Sequence, residues 1–205
     1  MDLLNRTTTE FTELVASPAP APGGGGASAL AAAGGAALAD MVGELTVGKK
    51  KFAKIEGELR AMMARAQDLR VRLLACVEKD AEAFEPLSRA YGIPKDDPER
   101  DAVMEECLRG AAAVPLEIFD LCCEAIALQK EFAEKGSKMV ISDAATGAAL
   151  CAGALCGAAV NVKVNTKLMK DRAYADAVNA HIDGNLETYR ALAEETFRLV
   201  YGRYC

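Results

Sequence analysis

The chain has 205 residues, and 24 lysines and arginines against 30 aspartates and glutamates give it a net charge of −6. Because its charges are scattered and acidic overall, it lacks the concentrated basic surface of a nucleic-acid-binding protein. A chain of this length buries roughly 70–75% of its unfolded surface and completes a hydrophobic core without disulfides or metals. We therefore expect residues 1–205 to form one domain with no nucleic-acid partner.

Histidine and cysteine usage argues against several kinds of site. The single histidine, His181, leaves no pair for a zinc site and argues against a Ser-His-Asp triad, so a half-exposed surface position is the favoured interpretation. The seven cysteines have no paired spacing, and most lie in apolar runs where reduced cysteine acts as a small hydrophobic residue. Residues 1–14 are mixed and polar, unlike a signal peptide. These features predict a reducing, cytoplasmic location and no bound metal.

Helix-forming residues dominate the chain, and no segment alternates β-branched and aromatic residues as strands do. We predict an all-α fold, an up-and-down bundle of about six helices that includes one long helix. The first helix is predicted over 3–16 and is followed by a proline- and glycine-rich segment, 17–26. A small-residue helix over 27–47, the long helix over 49–90 and a turn-rich loop over 91–98 complete the first half.

The second half is predicted to contain three more helices. One spans 99–134, with a kink where the ring of Pro115 removes a backbone hydrogen bond, and Gly136 ends it. The next spans 143–165 and the last spans 171–201.

The uncharged run between Asp143 and Lys163 is long enough to be mistaken for a membrane span. It consists mostly of alanine, glycine and cysteine, which favour lipid weakly but let helix backbones pack closely. We therefore interpret it as a buried helix, with Ser142 as its N-cap, and expect no membrane partner.

The long helix carries an apolar stripe that ends in a carboxylate. Its residues recur at alternating spacings of three and four, which is typical of a helix packed against others. They are Phe52, Ile55, Leu59, Met62, Ala66, Leu69, Leu73 and Cys76. The same spacing places Asp80 on the stripe, where burial would raise the pKa of its carboxyl and suit it to act as a base. A structural aspartate, satisfied by a lysine or a backbone amide, fits the pattern equally well.

Two further segments are candidate ligand sites. The Gly23–Gly26 run precedes a helix whose free N–H groups could receive an anion, although it lacks a Walker A ending and a flexible linker is the favoured interpretation. Gly48 is followed by Lys49, Lys50 and Lys51, usually a solvated turn. One lysine could instead turn inward to bind a small acidic ligand or to pair with a buried acid.

Asn161, Lys163 and Asn165 follow the apolar run at alternate positions. Asn161 and Asn165 are four residues apart and therefore share a helix face. Their amides either make hydrogen bonds at the helix end or recognise a heterocycle that presents both donors and acceptors.

Six short blocks follow one another between about residues 18 and 171. They are Pro22-Gly23-Gly24-Gly25-Gly26, Leu45-Thr46-Val47-Gly48-Lys49-Lys50-Lys51-Phe52, Asp80-Ala81-Glu82-Ala83-Phe84, Val114-Pro115-Leu116, Ile141-Ser142-Asp143-Ala144 and Asn161-Val162-Lys163-Val164-Asn165. Together they resemble the cyclodeaminase/cyclohydrolase family of folate enzymes. The lysine block is similar to the stand-alone methenyltetrahydrofolate cyclohydrolases, whereas the bifunctional formiminotransferase-cyclodeaminase has Gly-Arg-Arg there. Ser137 stands where the family commonly has asparagine.

This resemblance implies an all-helical homodimer with a tetrahydrofolate site in a cleft between helices. Asp80 matches the family's proposed proton acceptor, and Lys49 or Lys50 is expected to stabilise oxygen charge or to fix the ionisation of Asp80. A lysine could instead bind the anionic glutamate tail of folate. The expected substrate-binding residues are Gly23, Gly24, Gly25, Ser142, Asp143, Asn161 and Asn165. No cofactor is expected beyond the folate substrate.

The reaction implied is hydrolysis of N5,N10-methenyltetrahydrofolate to 10-formyltetrahydrofolate, with Asp80 as general base. The alternative is cyclodeamination of 5-formiminotetrahydrofolate, which releases ammonia through the same bridged carbon. A non-catalytic helical folate-binding protein is the remaining possibility, and it predicts binding without turnover.

Overall fold

The computed structural model describes residues 2–205, and within that range it contains helices and no strand. Met1, which the predicted domain includes, lies outside the described residues. The α-helices are α1 (Thr8–Val15), α2 (Gly24–Glu44), α3 (Glu56–Ala90), α4 (Arg100–Lys135), α5 (Ile141–Thr166) and α6 (Arg172–Tyr201), and a 3₁₀-helix (Lys50–Ile55) precedes α3. The predicted all-α class with about six helices is confirmed.

The central helix is α5, which packs against α2, α4 and α6, while α3 packs against α2 and α4. Small residues let α2 and α5 approach closely in antiparallel directions. A Cβ on Gly35 would lie 2.5 Å from Sγ of Cys151, and a Cβ on Gly157 would collide with Oγ of Ser28. The alanine- and glycine-rich composition of both helices therefore serves their contact.

Both α2 and α5 are apolar and long enough to cross a membrane by length and composition alone. In each helix, half of the 18-residue apolar stretch is buried inside the bundle. The prediction that α5 is a packed helix is thus confirmed for the sides that face α2, α4 and α6. Its remaining side is exposed, notably at Val160 and Val164.

The apolar stripe of the long helix is confirmed from Leu59 to Cys76, because every stripe residue in that stretch is buried. Phe52 belongs to the preceding 3₁₀-helix and is half-buried, so the α-helix begins at Glu56, later than predicted. Gly48 has a φ of 77°, a left-handed conformation that favours glycine and lets the chain turn from α2 into the 3₁₀-helix.

Three further helix starts differ from the predictions. The first helix begins at Thr8, because Thr7 forms a capping box with Glu10. The second begins at Gly24, with Gly23 as N-cap, so most of the glycine run is helical and not a linker. In α5 the N-cap is Val140, and the predicted N-cap Ser142 is wrong, since it lies within the first turn.

The other boundaries agree closely with the sequence. Gly136 is the C-cap of α4, as predicted. The helix is continuous through Pro115, and the kink there stays a prediction.

Candidate functional site

Asp80 lies against the first turn of α2. Its Oδ2 accepts a hydrogen bond of 2.9 Å from the backbone N–H of Gly26. A Cβ on Gly25 would lie 2.5 Å from Cγ of Asp80 and closer still to Oδ1, so position 25 has no room for a side chain. The glycine run and the carboxylate, which the sequence presents as separate features, therefore form one contact.

Burial raises the pKa of the Asp80 carboxyl, and the Gly26 N–H lowers it by a smaller amount. Among the described residues, Oδ1 accepts no hydrogen bond and no lysine or arginine forms an ion pair with Asp80. The carboxylate is thus partly desolvated, held through one oxygen, and placed at the positive end of a helix dipole. A backbone amide is one of the two partners expected for a purely structural aspartate, and Gly26 provides it. That hydrogen bond uses one carboxylate oxygen and leaves the second oxygen for chemistry.

Asn161 approaches the same turn from α5. A Cβ on Gly24 would lie 3.1 Å from Nδ2 of Asn161. The Asn161 amide donates to the carbonyl of Gly157 at 2.8 Å, which fixes its orientation. Asp80 and Asn161 therefore both lie against the start of α2. We call Gly24–Gly26, Asp80 and Asn161 the Asp80 end.

Asn165 shares a face with Asn161, as predicted, but its amide is occupied. Nδ2 donates to the carbonyls of Ala111 at 3.1 Å and Asn161 at 2.9 Å, and the residue is 9% exposed. Asn165 therefore joins α5 to α4 and has no free donor for a ligand. Lys163 faces α6, where Nζ donates to Asp183 at 2.7 Å.

The lysine segment lies beside the loop between α4 and α5. Nζ of Lys49 donates to Oγ of Ser137 at 3.3 Å, and Ser137 is 6% exposed. The Ser137 N–H donates to Oγ1 of Thr46, whose hydroxyl donates to the carbonyl of Val42 at 2.6 Å. Ser137 thus bonds to both Lys49 and Thr46. We call Thr46, Lys49, Ser137 and the start of α5, Ser142 and Asp143, the lysine end.

Within one chain, the predicted catalytic lysines and Asp80 lie at opposite ends of α2. Gly26 holds Asp80 at its start, while Lys49 and Lys50 follow its last residue, Glu44. The part of α2 between Gly26 and Glu44 is about 27 Å long, at 1.5 Å for each residue. The expectation that a lysine fixes the ionisation of Asp80 is therefore wrong for a single chain. Lys50 is exposed.

Thr46 and the role of Gly26 were not predicted from the sequence. Thr46 is fully buried and joins α2 to the loop at Ser137, although it stands inside one of the blocks that carry the resemblance. Gly26 supplies the N–H that holds Asp80. The signal for Gly26 was the position of Asp80 on the apolar stripe, because a buried carboxylate requires a hydrogen-bond donor.

Comparisons with known proteins place the chain in a family. It is 40% identical over 200 residues to a protein of Methylorubrum extorquens named methenyltetrahydrofolate cyclohydrolase, with 96% of both chains covered. It is 33% identical over 195 residues to the formimidoyltransferase-cyclodeaminase of Sus scrofa, and this match covers 93% of the chain but 36% of that longer protein.

A solved structure has the same fold. The crystal structure of formiminotetrahydrofolate cyclodeaminase from Thermotoga maritima matches with a TM-score of 0.82 and 28% identity, covering 96% of this chain and 94% of that one. The family model for formiminotransferase-cyclodeaminase matches residues 7–184, which include Asp80, Asn161 and the lysine segment. This chain therefore belongs to the formiminotransferase-cyclodeaminase family.

Proposed function

We propose that this protein hydrolyses N5,N10-methenyltetrahydrofolate to 10-formyltetrahydrofolate, reversibly, as a step of one-carbon metabolism. One observation carries the proposal: Asp80 is a half-buried, partly desolvated carboxylate with one oxygen held by Gly26 and the other unbonded within the described chain. The cyclohydrolase name of the Methylorubrum extorquens relative, over nearly the whole length of both chains, supports this substrate.

The substrate's bridging carbon is bonded to N5 and N10 and shares their positive charge. Water adds to that carbon while Asp80 takes one of its protons, which gives a tetrahedral carbon carrying a hydroxyl. The C–N5 bond then breaks, Asp80 returns its proton to N5, and the hydroxyl loses its proton as the formyl C=O forms. One proton is released per turnover. A positioned acid–base group supplies roughly 10²–10⁴-fold of rate.

The environment of Asp80 suits both of its proton transfers in this mechanism. The carboxylate offsets the cationic substrate, and its raised pKa lets it hold a proton long enough to return it to N5. Gly24 and Gly25 have N–H groups in the first turn of α2, which lack partners within the helix and would meet a substrate oxygen. Asn161 would bind the edge of the pterin through its carbonyl oxygen.

The reaction adds water to the bridging carbon, forms a carbon–oxygen bond, breaks a carbon–nitrogen bond and transfers protons, with no change of oxidation state. We therefore propose that it uses no metal and no redox cofactor. We also propose that the protein works in the cytoplasm.

The second candidate is cyclodeamination, in which N10 attacks the formimino carbon and ammonia leaves. The name of the Thermotoga maritima neighbour favours it, at lower identity. The two candidates are separated by following the loss of the methenyl chromophore and, in parallel, ammonia release from 5-formiminotetrahydrofolate. Faster turnover of the methenyl substrate supports the proposal, and ammonia release without methenyl hydrolysis contradicts it. Binding of either folate with no turnover would favour a non-catalytic carrier.

We further propose that the working form is a homodimer paired through the exposed side of α5. That side is lined by small and apolar residues along the helix. They are Ser142, Thr146, Ala149, Leu150, Gly153, Val160 and Val164, with Leu168 just after the end of the helix. Gly153, near the middle, has open space around it, which permits close contact with a second helix.

The two ends of this surface complement each other. Beside the start of α5, Phe197 and Tyr201 stack with ring centroids 5.3 Å apart and are both exposed. Beside its end, an apolar groove of about 360 Å³ is lined by Val160, Val164 and Ile182 among others. A two-fold axis near Gly153 would seat the aromatic pair of one copy in the groove of its partner. The same axis would place the lysine end of one copy beside the Asp80 end of the other.

This arrangement predicts that each site needs two chains. Asp80→Asn and Lys49→Met are each expected to be inactive, and mixing and refolding them should restore about a quarter of the activity, because half of the dimers then hold one intact site. Gly153→Cys should cross-link two copies on oxidation, whereas Gly110→Cys, an exposed glycine of α4, should not. A monomer with full activity would contradict the dimer and leave the hydrolytic proposal standing.

A further inference from the structure

The segment that precedes α2, residues 2–23, is attached to α3 next to Asp80. We call it the strap. Oε1 of Glu78, two residues before Asp80, accepts hydrogen bonds from the N–H groups of Leu3 at 2.7 Å and Leu4 at 3.3 Å. The Leu3 side chain is 2% exposed and belongs to the main hydrophobic core. The beginning of the strap is therefore held by one carboxylate and one buried side chain.

The other end of the strap leads into the turn that holds Asp80. Pro22 is buried, and its Cβ lies 3.4 Å from the position that a Cβ on Gly26 would occupy. Gly23 is the N-cap of α2, and three residues later the Gly26 N–H donates to Asp80. Between the two ends, Phe11 and Ala21 are buried in the main core, and Leu14 packs against it. Among the described residues, Glu78 supplies the hydrogen bonds that attach the beginning of the strap to α3.

The first turn of α2 needs such external support. It is made of glycines, which lose the most conformational entropy on becoming helical, and Gly23 provides no side-chain cap. Glycine is nevertheless required there, because a Cβ on Gly25 would displace the Asp80 carboxylate. A turn that must be glycine to admit Asp80 is a weak helix start, and contacts outside it must hold it in place.

We propose that Glu78 is a positioning residue: by anchoring the strap, it holds the first turn of α2 against Asp80 and keeps water away from that carboxylate. The proposal rests on the proposed function of Asp80 as the general base. Glu78 acts through the strap, because its Oε1 accepts hydrogen bonds from the N–H groups of Leu3 and Leu4.

Release of the strap changes the base in a defined direction. When the first turn frays, Asp80 loses both the burial that raises its pKa and the Gly26 hydrogen bond that lowers it. Burial is the larger cause, so the pKa of Asp80 falls toward that of an ordinary aspartate. The acidic limb of the rate profile then moves to lower pH, and the rate on the plateau drops because the base is weaker.

The test compares three variants of the full-length protein. Glu78→Leu removes the acceptor, Glu78→Gln keeps an acceptor oxygen, and Glu85→Leu removes an exposed carboxylate on the same helix that pairs with Arg89. Steady-state kinetics over pH and amide hydrogen exchange of the peptide covering 22–27 are measured for each. Glu78→Leu should lower kcat about tenfold with little change in KM and shift the acidic limb of the rate profile to lower pH. It should also speed amide hydrogen exchange of the 22–27 peptide about tenfold.

The control variants separate a positioning role of Glu78 from a purely structural one. Glu78→Gln should stay within about threefold of the parent protein in kcat, and Glu85→Leu should match it. If Glu78→Leu lowers the melting temperature but leaves the exchange rate and the acidic limb unchanged, Glu78 is only structural and the proposal is overturned. If the parent protein fails to hydrolyse the methenyl substrate, the proposed function fails, and exchange at 24–26 alone decides whether Glu78 positions the turn.

Discussion

The Asp80 end and the lysine end hold opposite charges by different means. At the Asp80 end, a carboxylate is buried against glycine backbone, and burial raises its pKa. At the lysine end, the ammonium of Lys49 donates to Ser137, which is itself linked to Thr46. The first end works through close backbone approach and desolvation. The second works through Ser137, whose hydroxyl accepts from Lys49 and whose backbone N–H donates to Thr46.

The direction of α2 explains why each charge is where it is. The start of α2, with its unpaired N–H groups and partial positive charge, faces Asp80, while its carbonyl end precedes Lys49, Lys50 and Lys51. The dipole of α2 therefore favours the Asp80 carboxylate, and the lysines follow its opposite, carbonyl end. The length of α2 keeps these opposite charges too far apart to neutralise each other within a chain. Variants that change one end at a time separate the two contributions.

The largest effect is expected from Asp80→Asn. An amide cannot take a proton from water, so kcat for methenyltetrahydrofolate hydrolysis should fall roughly 10²–10⁴-fold. Asp68→Asn is the matched control, because Asp68 lies on the same helix, is exposed and pairs with Arg72 at 3.3 Å. Chromophore decay measures both variants. A rate near that of the parent protein for Asp80→Asn would remove Asp80 from the mechanism.

Gly25→Ala tests the close approach without changing a charge. The new Cβ would lie 2.5 Å from Cγ of Asp80, so the carboxylate must move and kcat should fall about 10²-fold. Gly34→Ala, in the open interior of the same helix, should leave kcat unchanged and stabilise the fold by up to about 1 kcal/mol. Kinetics and urea unfolding separate the two effects. Equal behaviour of the two variants would mean that Gly25 is not shaped around Asp80.

The sequence predicts the Asp80 end better than the lysine end, and the reason is physical. A regular spacing of apolar residues is a local signal, and it identified Asp80 correctly as a stripe residue. The start of α2 was predicted too late because glycine is a poor helix former, and only the contact with Asp80 makes it necessary. That contact joins residues 54 positions apart, which no local pattern records.

At the lysine end, the wrong predictions also concern contacts that residue type alone does not reveal. Ser142 is a good N-cap residue by type, but the chain between Ser137 and Val140 turns first and starts α5 earlier. Lys49 and Asp80 are a plausible pair by charge, yet the length of α2 separates them. A sequence shows which residues are charged. It does not show which contacts each charge makes, and only those contacts reveal that the length of α2 separates Lys49 from Asp80.

Unfolding at different pH values tests whether Asp80 is desolvated. Its pKa is higher in the folded than in the unfolded state, so the folded state binds the proton more tightly and stability falls as pH rises from the unfolded pKa through the folded one. Asp80→Asn removes this loss. The variant should gain stability relative to the parent protein above that window, and the gain should disappear below the ordinary aspartate pKa. A constant difference at every pH would show that Asp80 is solvated.

The smallest effect is expected at the lysine end from Ser137→Ala. It removes the hydroxyl that accepts from Lys49 but keeps the backbone N–H that donates to Thr46, so the free energy of unfolding should fall by only about 1 kcal/mol. Thr46→Val removes the acceptor of that buried N–H and should cost more, about 1–3 kcal/mol. Urea unfolding of both variants decides the order. If Ser137→Ala is the more damaging, the Lys49 contact holds this end together and the hydroxyl of Thr46 does not.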